Sequence, residues 1–260
     1  MKPVTLIGTG NVAWQLGTAF RQVGVPIAEV YGRDAAKSLE LAQHLGARSV
    51  KDWQDLSVRD GMVVLCVKDD AIAEVAASFL NTPRLLVHTS GTVSMHVLDG
   101  KAEHIGVFYP LQSLHRNRPV NWSEIPLCLE ASSSEFLDEL TMLASQLSNK
   151  VIYLSSEQRR WLHVAAVIVS NFTNFLYIQA ESLCHEHGLS FQLLQPLMIE
   201  TVRRLESSSP GNWQTGPARR NDLQVMNLHI QLLKDKPELQ QLYREFSECI
   251  MRYYYAENKK

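Results

Sequence analysis

The segment Gly8-Thr9-Gly10-Asn11-Val12-Ala13 constrains the fold more than any other, because it stands between a short apolar run, Pro3 to Ile7, and a helical pattern through Val23. A G-x-G-x-x-A turn joining a strand to a helix has a mechanical basis: the first glycine permits the tight turn, the second lets a pyrophosphate reach the backbone, and the alanine lets helix and strand pack closely. Gly8, Gly10 and Ala13 fill those places, with Thr9, Asn11 and Val12 between them. The helix N-terminus offers free N–H groups and a positive dipole end to phosphates. Glycines also punctuate ordinary turns, so context decides. Here the next apolar run, Ile27 to Tyr31, completes a strand–helix–strand unit of about the 30 residues that a dinucleotide site needs.

The second strand ends in Tyr31-Gly32-Arg33-Asp34. An NAD site would place an acidic side chain here for the ribose 2'-hydroxyl, whereas a guanidinium suits a 2'-phosphate. The expected cofactor is therefore NADP(H), held at its 2'-phosphate by Arg33. The plainer alternative is that Arg33 is a solvated loop residue, while Asp34 caps a helix over 35–45.

Strand and helix patterns continue to alternate. Met62 to Val67 reads as a strand buried on both faces, followed by Lys68-Asp69-Asp70 and a helix over 71–80. Leu85 to Val87 precedes His88-Thr89-Ser90-Gly91-Thr92, and Ile105 to Phe108 precedes Tyr109-Pro110-Leu111-Gln112-Ser113. Ligands of open α/β sheets sit beyond the carboxyl ends of the strands, so Val67, Lys68, Asp70 and Thr89 are expected near the cofactor. By the same rule His88 and Ser90 are expected near the reacting centre, and Gln112 near substrate. After strands at Pro126 to Leu129 and Val151 to Leu154 no β pattern returns. The expected organisation is a Rossmann-type doubly wound α/β domain over 1–153 and an all-α domain over 154–260.

Composition narrows the chemistry. Of 260 residues 45% are hydrophobic, enough for a core, and 25 basic against 27 acidic side chains leave a net charge of -2. That balance gives no footprint for nucleic acid or anionic lipid. Cys66, Cys128, Cys184 and Cys249 are far apart with no C-x-x-C pair, so neither a metal site nor a disulfide framework is indicated. The N-terminus lacks the long apolar stretch of a signal peptide, and the apolar run near Trp161 to Val169 is far shorter than the roughly 20 residues of a membrane span. The expected setting is the cytoplasm.

The glycine turn with its Gly-Arg-Asp, the His-Thr-Ser-Gly cluster and Tyr109-Pro110-Leu111-Gln112 resemble a bacterial family that joins a Rossmann domain to a helical domain of unknown function. The second half extends the resemblance through Gln158-Arg159, Leu162-His163-Val164-Ala165-Ala166, Ser170-Asn171-Phe172-Thr173-Asn174 and Gln214-Thr215-Gly216-Pro217-Ala218-Arg219. More distantly the layout is similar to pyrroline-5-carboxylate reductases, ketopantoate reductases, β-hydroxyacid dehydrogenases and deazaflavin-dependent NADP oxidoreductases. That kinship implies hydride transfer where a nucleotide domain meets a helical one.

From Arg160 to about Gly188 the sequence reads as one long helix, and at 100° per residue His163, Ser170, Asn174, Tyr177 and Glu181 share a narrow arc with Asn171 on its flank. The rest of the circumference is largely apolar, which predicts a buried helix with one polar line. A buried polar line needs partners or a ligand. His163, Asn171 and Asn174 are therefore the candidate catalytic residues of this half, against the alternative of an exposed face or a domain-spanning hydrogen-bond network. In the resembling dehydrogenases a catalytic Lys stands four residues before an Asn, but this chain has no Lys between Lys150 and Lys234. A proton donor must then come from His163, His88 or Tyr109.

Gln214, Thr215, Gly216 and Arg219 make a candidate seat for a substrate anion. The last helix, with Leu239, Leu242, Phe246 and Ile250 on one edge, suggests a homodimer through the helical domain. The expected function is reduction of a small anionic carbonyl or imine by an NADP-dependent oxidoreductase. The alternative is an NADP-binding regulatory or sensor protein without chemistry, which the missing Lys favours.

Overall fold

The computed structural model describes residues 2–59 and 61–255. The chain divides into two compact units, Met1–Phe172 and Thr173–Lys260.

In the first unit, among the described residues, eight strands form one sheet in the order β3-β2-β1-β4-β5-β6-β7-β8. They are β1 Val4–Ile7, β2 Ile27–Tyr31, β3 Arg48–Ser49, β4 Met62–Leu65, β5 Leu85–His88, β6 His104–Pro110, β7 Leu127–Ala131 and β8 Val151–Tyr153. β1 to β6 run parallel, β7 turns antiparallel to β6, and β8 follows β7 in parallel. The doubly wound Rossmann-type sheet expected from the sequence is therefore present. Its central strands β1, β4 and β5 are buried along their whole length, as parallel strands covered on both faces must be. One cluster, with Leu6, Leu16, Phe20, Val64, Phe108, Phe136 and Leu140, fills one core, and a second, with Ile7, Leu65, Ile72, Leu86 and Val107, fills another. Alternate residues of β1 and β4 enter different cores because successive side chains point to opposite faces.

The connecting helices α1 Asn11–Gln22, α2 Ala35–Leu45, α3 Ile72–Ala77 and α4 Ser134–Leu147 precede α5 Ser156–Ala166. Three are closed by side-chain caps: Asp34 accepts from the amides of Ala36 and Lys37, Ser133 from Phe136, and Ser155 forms a capping box with Gln158. The first helix is left open. Gly10 provides no side-chain cap, and no acidic residue occupies the first turn.

Strand β1 pairs with β2 on one side and β4 on the other, which puts the crevice of a doubly wound sheet beyond Ile7 and Leu65. Gly8 stands at its edge with φ +117, and a Cβ there would lie 2.3 Å from the carbonyl oxygen of Cys66. Only glycine fits that backbone and that approach.

After α5 the helix widens into a π turn, Val167–Phe172. It then continues as α6 Thr173–Glu186 in the second unit, which also holds α7 Gln195–Arg203, α8 Leu223–Leu232 and α9 Pro237–Tyr255. The sequence predicted that this long helix would be buried except for one polar line; the structure corrects that. Trp161, Val164, Ile168, Val169, Phe172, Phe175 and Ile178 are all about half exposed or more. Among the described residues, Ser156–Glu186 is the helix long and apolar enough, by length and composition, to cross a membrane. The apolar run that looked too short for a span is thus part of a longer helix that meets the length.

Candidate active site

Two loops and one helix build the site in the first unit. The loop after β5, His88 to Val93, is fixed from within: Ser90 Oγ accepts from the amides of Thr92 (3.1 Å) and Val93 (3.0 Å), and the Ser90 amide donates to His88 Nδ1 (3.2 Å). Thr92 Oγ1 donates to Asp69, joining this loop to the one after β4, and Thr89 Oγ1 donates to the Leu65 carbonyl (3.2 Å). β6 brings Tyr109 to the same end of the sheet.

There Tyr109 Oη lies 3.1 Å from His163 Nδ1. Both groups press on Gly91: a Cβ on that glycine would come within 2.5 Å of His163 Nδ1 and 2.9 Å of the Tyr109 ring. Gly91 is therefore the residue that lets imidazole and phenol close over the loop. Burial pushes the Tyr109 phenol up to about 12, so at neutral pH it holds its proton. The pair borders a cavity of ≈ 550 Å³, lined by Tyr109, Leu111, Gln112 and Ser113 on one side and by Leu162, His163, Ala165, Ala166, Val167, Val169, Ser170 and Asn171 on the other. Ser113 Oγ and Ser170 Oγ meet across it at 3.0 Å. The π turn explains why Asn171, which a uniform helix leaves on the flank, joins His163 on this wall: bonds to the fifth residue instead of the fourth shift the register.

Other expected residues take different places. His88 is fully buried and its ring does not line the cavity. Burial lowers its imidazole to about 4, so it stays neutral and shapes the Ser90 turn. Ser90, with its Oγ engaged by two amides, serves the same frame. Neither of these two residues, expected near the reacting centre, lines the cavity. Asn174, Gln214, Thr215, Gly216 and Arg219 belong to the second unit. There Asn174 is exposed, and the Arg219 guanidinium stacks 4.2 Å over the Tyr254 ring. Gln214 Nε2 donates to the Thr215 carbonyl (3.0 Å), and Gly216 turns the chain at φ +101.

The dinucleotide turn fits the group that its sequence implies. At Gly10 a Cβ would meet nothing within 4 Å, so open space faces the turn where a pyrophosphate would approach. The first-turn amides of Asn11, Val12 and Ala13 have no intrahelical acceptor, as at any helix start, and no side chain caps them. Arg33 is exposed at the end of β2 with no hydrogen bond or ion pair among the described residues, as a 2'-phosphate ligand should be. Asp34 caps α2 as expected; the Lys37 amide and its charge hold the Asp34 carboxyl below the usual range. The Asn11 side chain is already engaged, its Oδ1 accepting from the Arg116 amide (3.1 Å), so its part in a phosphate cradle falls to its backbone. Val67 is half-buried, and Lys68 and Asp70 are exposed beyond β4.

Tyr109 and Gly91 carried weaker sequence signals than the histidines. Tyr109 stood out only by its place at a strand end, and Gly91 only as one residue of the His-Thr-Ser-Gly cluster. Arg159 carried no signal beyond its place in the Gln-Arg pair, yet it is the largest fully buried side chain among the described residues.

Fold and site together define a dinucleotide-binding α/β protein with a largely apolar cavity, carrying a few polar side chains, beyond the strand ends. Residues 3–90 match the family described as NADP oxidoreductase, coenzyme F420-dependent, and residues 125–250 match a domain of unknown function, DUF2520. A solved structure from Bacteroides fragilis, provisionally described as an NADP oxidoreductase, is 39% identical over 96% of this chain and 98% of its own, with a TM-score of 0.91. The chain belongs to the family of that NADP oxidoreductase-like protein. An imine reductase from Myxococcus stipitatus, solved with NADP+, shares the fold at 17% identity and a TM-score of 0.67, over 99% of this chain and 94% of that one. A pyrroline-5-carboxylate reductase from Coxiella burnetii does so at 15% and 0.59, over 98% of each chain. No curated protein matches the chain.

Proposed function

We propose that this protein is an NADP-dependent reductase of a small carbonyl or imine compound, in which Tyr109 is the proton donor and His163 its relay. The observation that carries the reading is the Tyr109–His163 contact at 3.1 Å on the cavity wall. When bound, NADPH supplies the hydride, with its pyrophosphate on the Gly8–Ala13 turn and its 2'-phosphate on Arg33. The chain must supply the proton that the substrate oxygen or nitrogen takes up. A phenol that ionises only near 12 is fully loaded at neutral pH. It is by itself a weak acid, and a partner that can share the charge makes it competent. His163 is that partner: in the tautomer with its proton on Nδ1 it passes that proton to the phenol oxygen as the phenol proton departs, and takes up another at Nε2 from water. Gln112, Ser113, Ser170 and Asn171 offer neutral donors and acceptors that orient the substrate. Among the described residues no Lys or Arg lines the cavity.

The test is loss of NADPH absorbance with 2-oxo acids, aldehydes and cyclic imines. Tyr109→Phe should lower kcat by about 10²–10⁴-fold, the usual worth of a placed general acid, while NADPH binding persists. Full turnover in that variant removes the donor role. NADPH binding with no turnover of any substrate by the native chain would favour the sensor reading instead.

The exposed apolar side chains of Trp161 to Ile178 are read as the contact face of a homodimer in the cytoplasm. Sedimentation of the purified protein at twice the monomer mass, without detergent, is the expected result; recovery only with membranes overturns it.

A further inference from the structure

We propose that Arg159, clamped by Glu130, is the positioning residue that holds His163 against Tyr109 and the Ser90–Val93 loop. The inference rests on the Tyr109–His163 reading and says what keeps that pair together.

Arg159 lies on the first turns of α5 and is 1% exposed. A guanidinium in such a place is tolerated only when its N–H groups find acceptors. Here Nε donates to the Ser90 carbonyl (3.2 Å), Nη1 to the Glu130 carboxylate, and Nη2 to the Val93 carbonyl and to Ser156 Oγ (3.3 Å). Glu130, on β7, also accepts from the Ser156 amide (3.0 Å) and Ser156 Oγ (2.7 Å), so the same carboxylate seats the start of α5. Ser156 Oγ in turn accepts from the Met95 amide (2.9 Å). One cation and one anion therefore fix three pieces of chain to one another: the loop after β5, strand β7 and the first turn of α5.

The consequence lies one helical turn on. His163 follows Arg159 by four residues and faces the same side of the helix. An arginine fork planted on two carbonyls of the loop sets both the height and the rotation of α5 over that loop. Those two quantities decide whether His163 reaches Tyr109 and packs on Gly91. A lysine would keep the charge but lose the planar fork that grips both carbonyls. A core that needed only stability could use apolar side chains here, since buried ion pairs are often no better than a well-packed hydrophobic replacement. The positive charge also acts on Tyr109, offsetting part of the rise that burial causes.

The experiment is nitrogen-15 NMR of histidine-labelled protein, reading the Nδ1 resonance of His163, assigned by its loss in His163→Gln. In the native chain that resonance should move when Tyr109→Phe removes the hydroxyl. If Arg159 positions the pair, Arg159→Lys moves it to the same place, and Tyr109→Phe adds nothing further in the Arg159→Lys background. A purely structural Arg159 would lower the melting temperature and leave the His163 signal where it was, which overturns the proposal. Glu130→Gln, which keeps an amide oxygen for Ser156 but loosens the arginine, gives a second route should Arg159→Lys not fold: it should shift the His163 signal part of the way, and no shift counts against the proposal. NADPH binding should stay within about twofold in each variant. Where substrate turnover is present, kcat should fall tenfold or more in Arg159→Lys with KM for NADPH unchanged. A native chain without turnover in which the resonance still responds would sink the reductase reading and leave the positioning role standing.

Discussion

The two compact units bury their apolar residues very differently. In the first unit the sheet is closed over on both faces: Leu6, Leu16, Phe20, Val64, Leu65, Val87 and Phe108 are all at or near zero exposure. In the helical unit only Ala218, Met226 and Leu233 are buried apolar residues among those described, while Leu193, Leu197, Val202 and Leu232 stand 60% exposed or more. A parallel sheet covered on two faces completes its core within one chain. Helices with broad apolar faces do not, and a large exposed apolar surface signals a further contact.

The largest effect should come from that open surface. Phe175→Asp together with Ile178→Asp puts charge on side chains of the helical unit that are about half exposed in the single chain. Under the dimer reading each change costs up to the ~2–5 kcal/mol of losing a fully buried Phe or Ile, so the protein should sediment as a monomer and melt earlier. An unchanged melting curve and mass would show that both units are complete alone.

The closed unit can be probed through His88, whose imidazole burial lowers to about 4 from an ordinary 6.5. Below about pH 6.5 the unfolded chain takes up a proton that the folded chain refuses, so stability falls as pH drops toward 4. The shift corresponds to about 3 kcal/mol, to be read as denaturant midpoints against pH. Replacement by the non-titrating His88→Gln should flatten that acid slope; a slope unaltered by the substitution would mean the ring reaches water. Tyr109 works in the opposite direction: above its ordinary 10.0 the unfolded chain ionises first, so stability declines as pH rises toward about 12.

A smaller effect belongs to the rim of the sheet. Arg33→Ala should weaken NADPH by about ten- to a hundredfold, the worth of one charge-assisted contact, and leave NADH nearly untouched in fluorescence titrations. Equal weakening of both cofactors would remove the 2'-phosphate assignment. Smallest of all are the helix caps. Ser133 accepts from the Phe136 amide (3.2 Å) in the first unit, and Asp222 from the Val225 amide (3.1 Å) in the second. Alanine at either should cost about 1 kcal/mol. Two calorimetric transitions, each moved by its own variant, would show that the units melt separately; one transition moved by both would show a single cooperative body.

Several elements were legible because they depend on neighbours in sequence. The Gly8–Ala13 turn, the Asp34 cap and the apolar runs of β1, β2, β4 and β5 all follow from local backbone and pattern rules. Strand β3, only Arg48–Ser49, had no apolar run to announce it. The reversal of β7 against β6 is a matter of pairing, which a strand pattern does not encode. For the site, His163 was found by helical arithmetic, and Asn171 was left on the flank because the π turn breaks that arithmetic. His88 and Ser90 looked catalytic because strand ends usually are, yet inside the loop they meet backbone amides.

The sequence by itself thus determined the doubly wound sheet, the glycine turn open toward a dinucleotide, the free Arg33 and the helical second half, since each rests on periodicity or on the steric needs of a few adjacent residues. Tertiary structure alone decided that Tyr109 meets His163 across 54 positions of chain. It also decided that Gly91 makes room for them and that a buried Arg159 grips the loop beneath. Those contacts join residues that no local pattern relates, and they exist only where packing brings β6, the loop after β5 and α5 to one place.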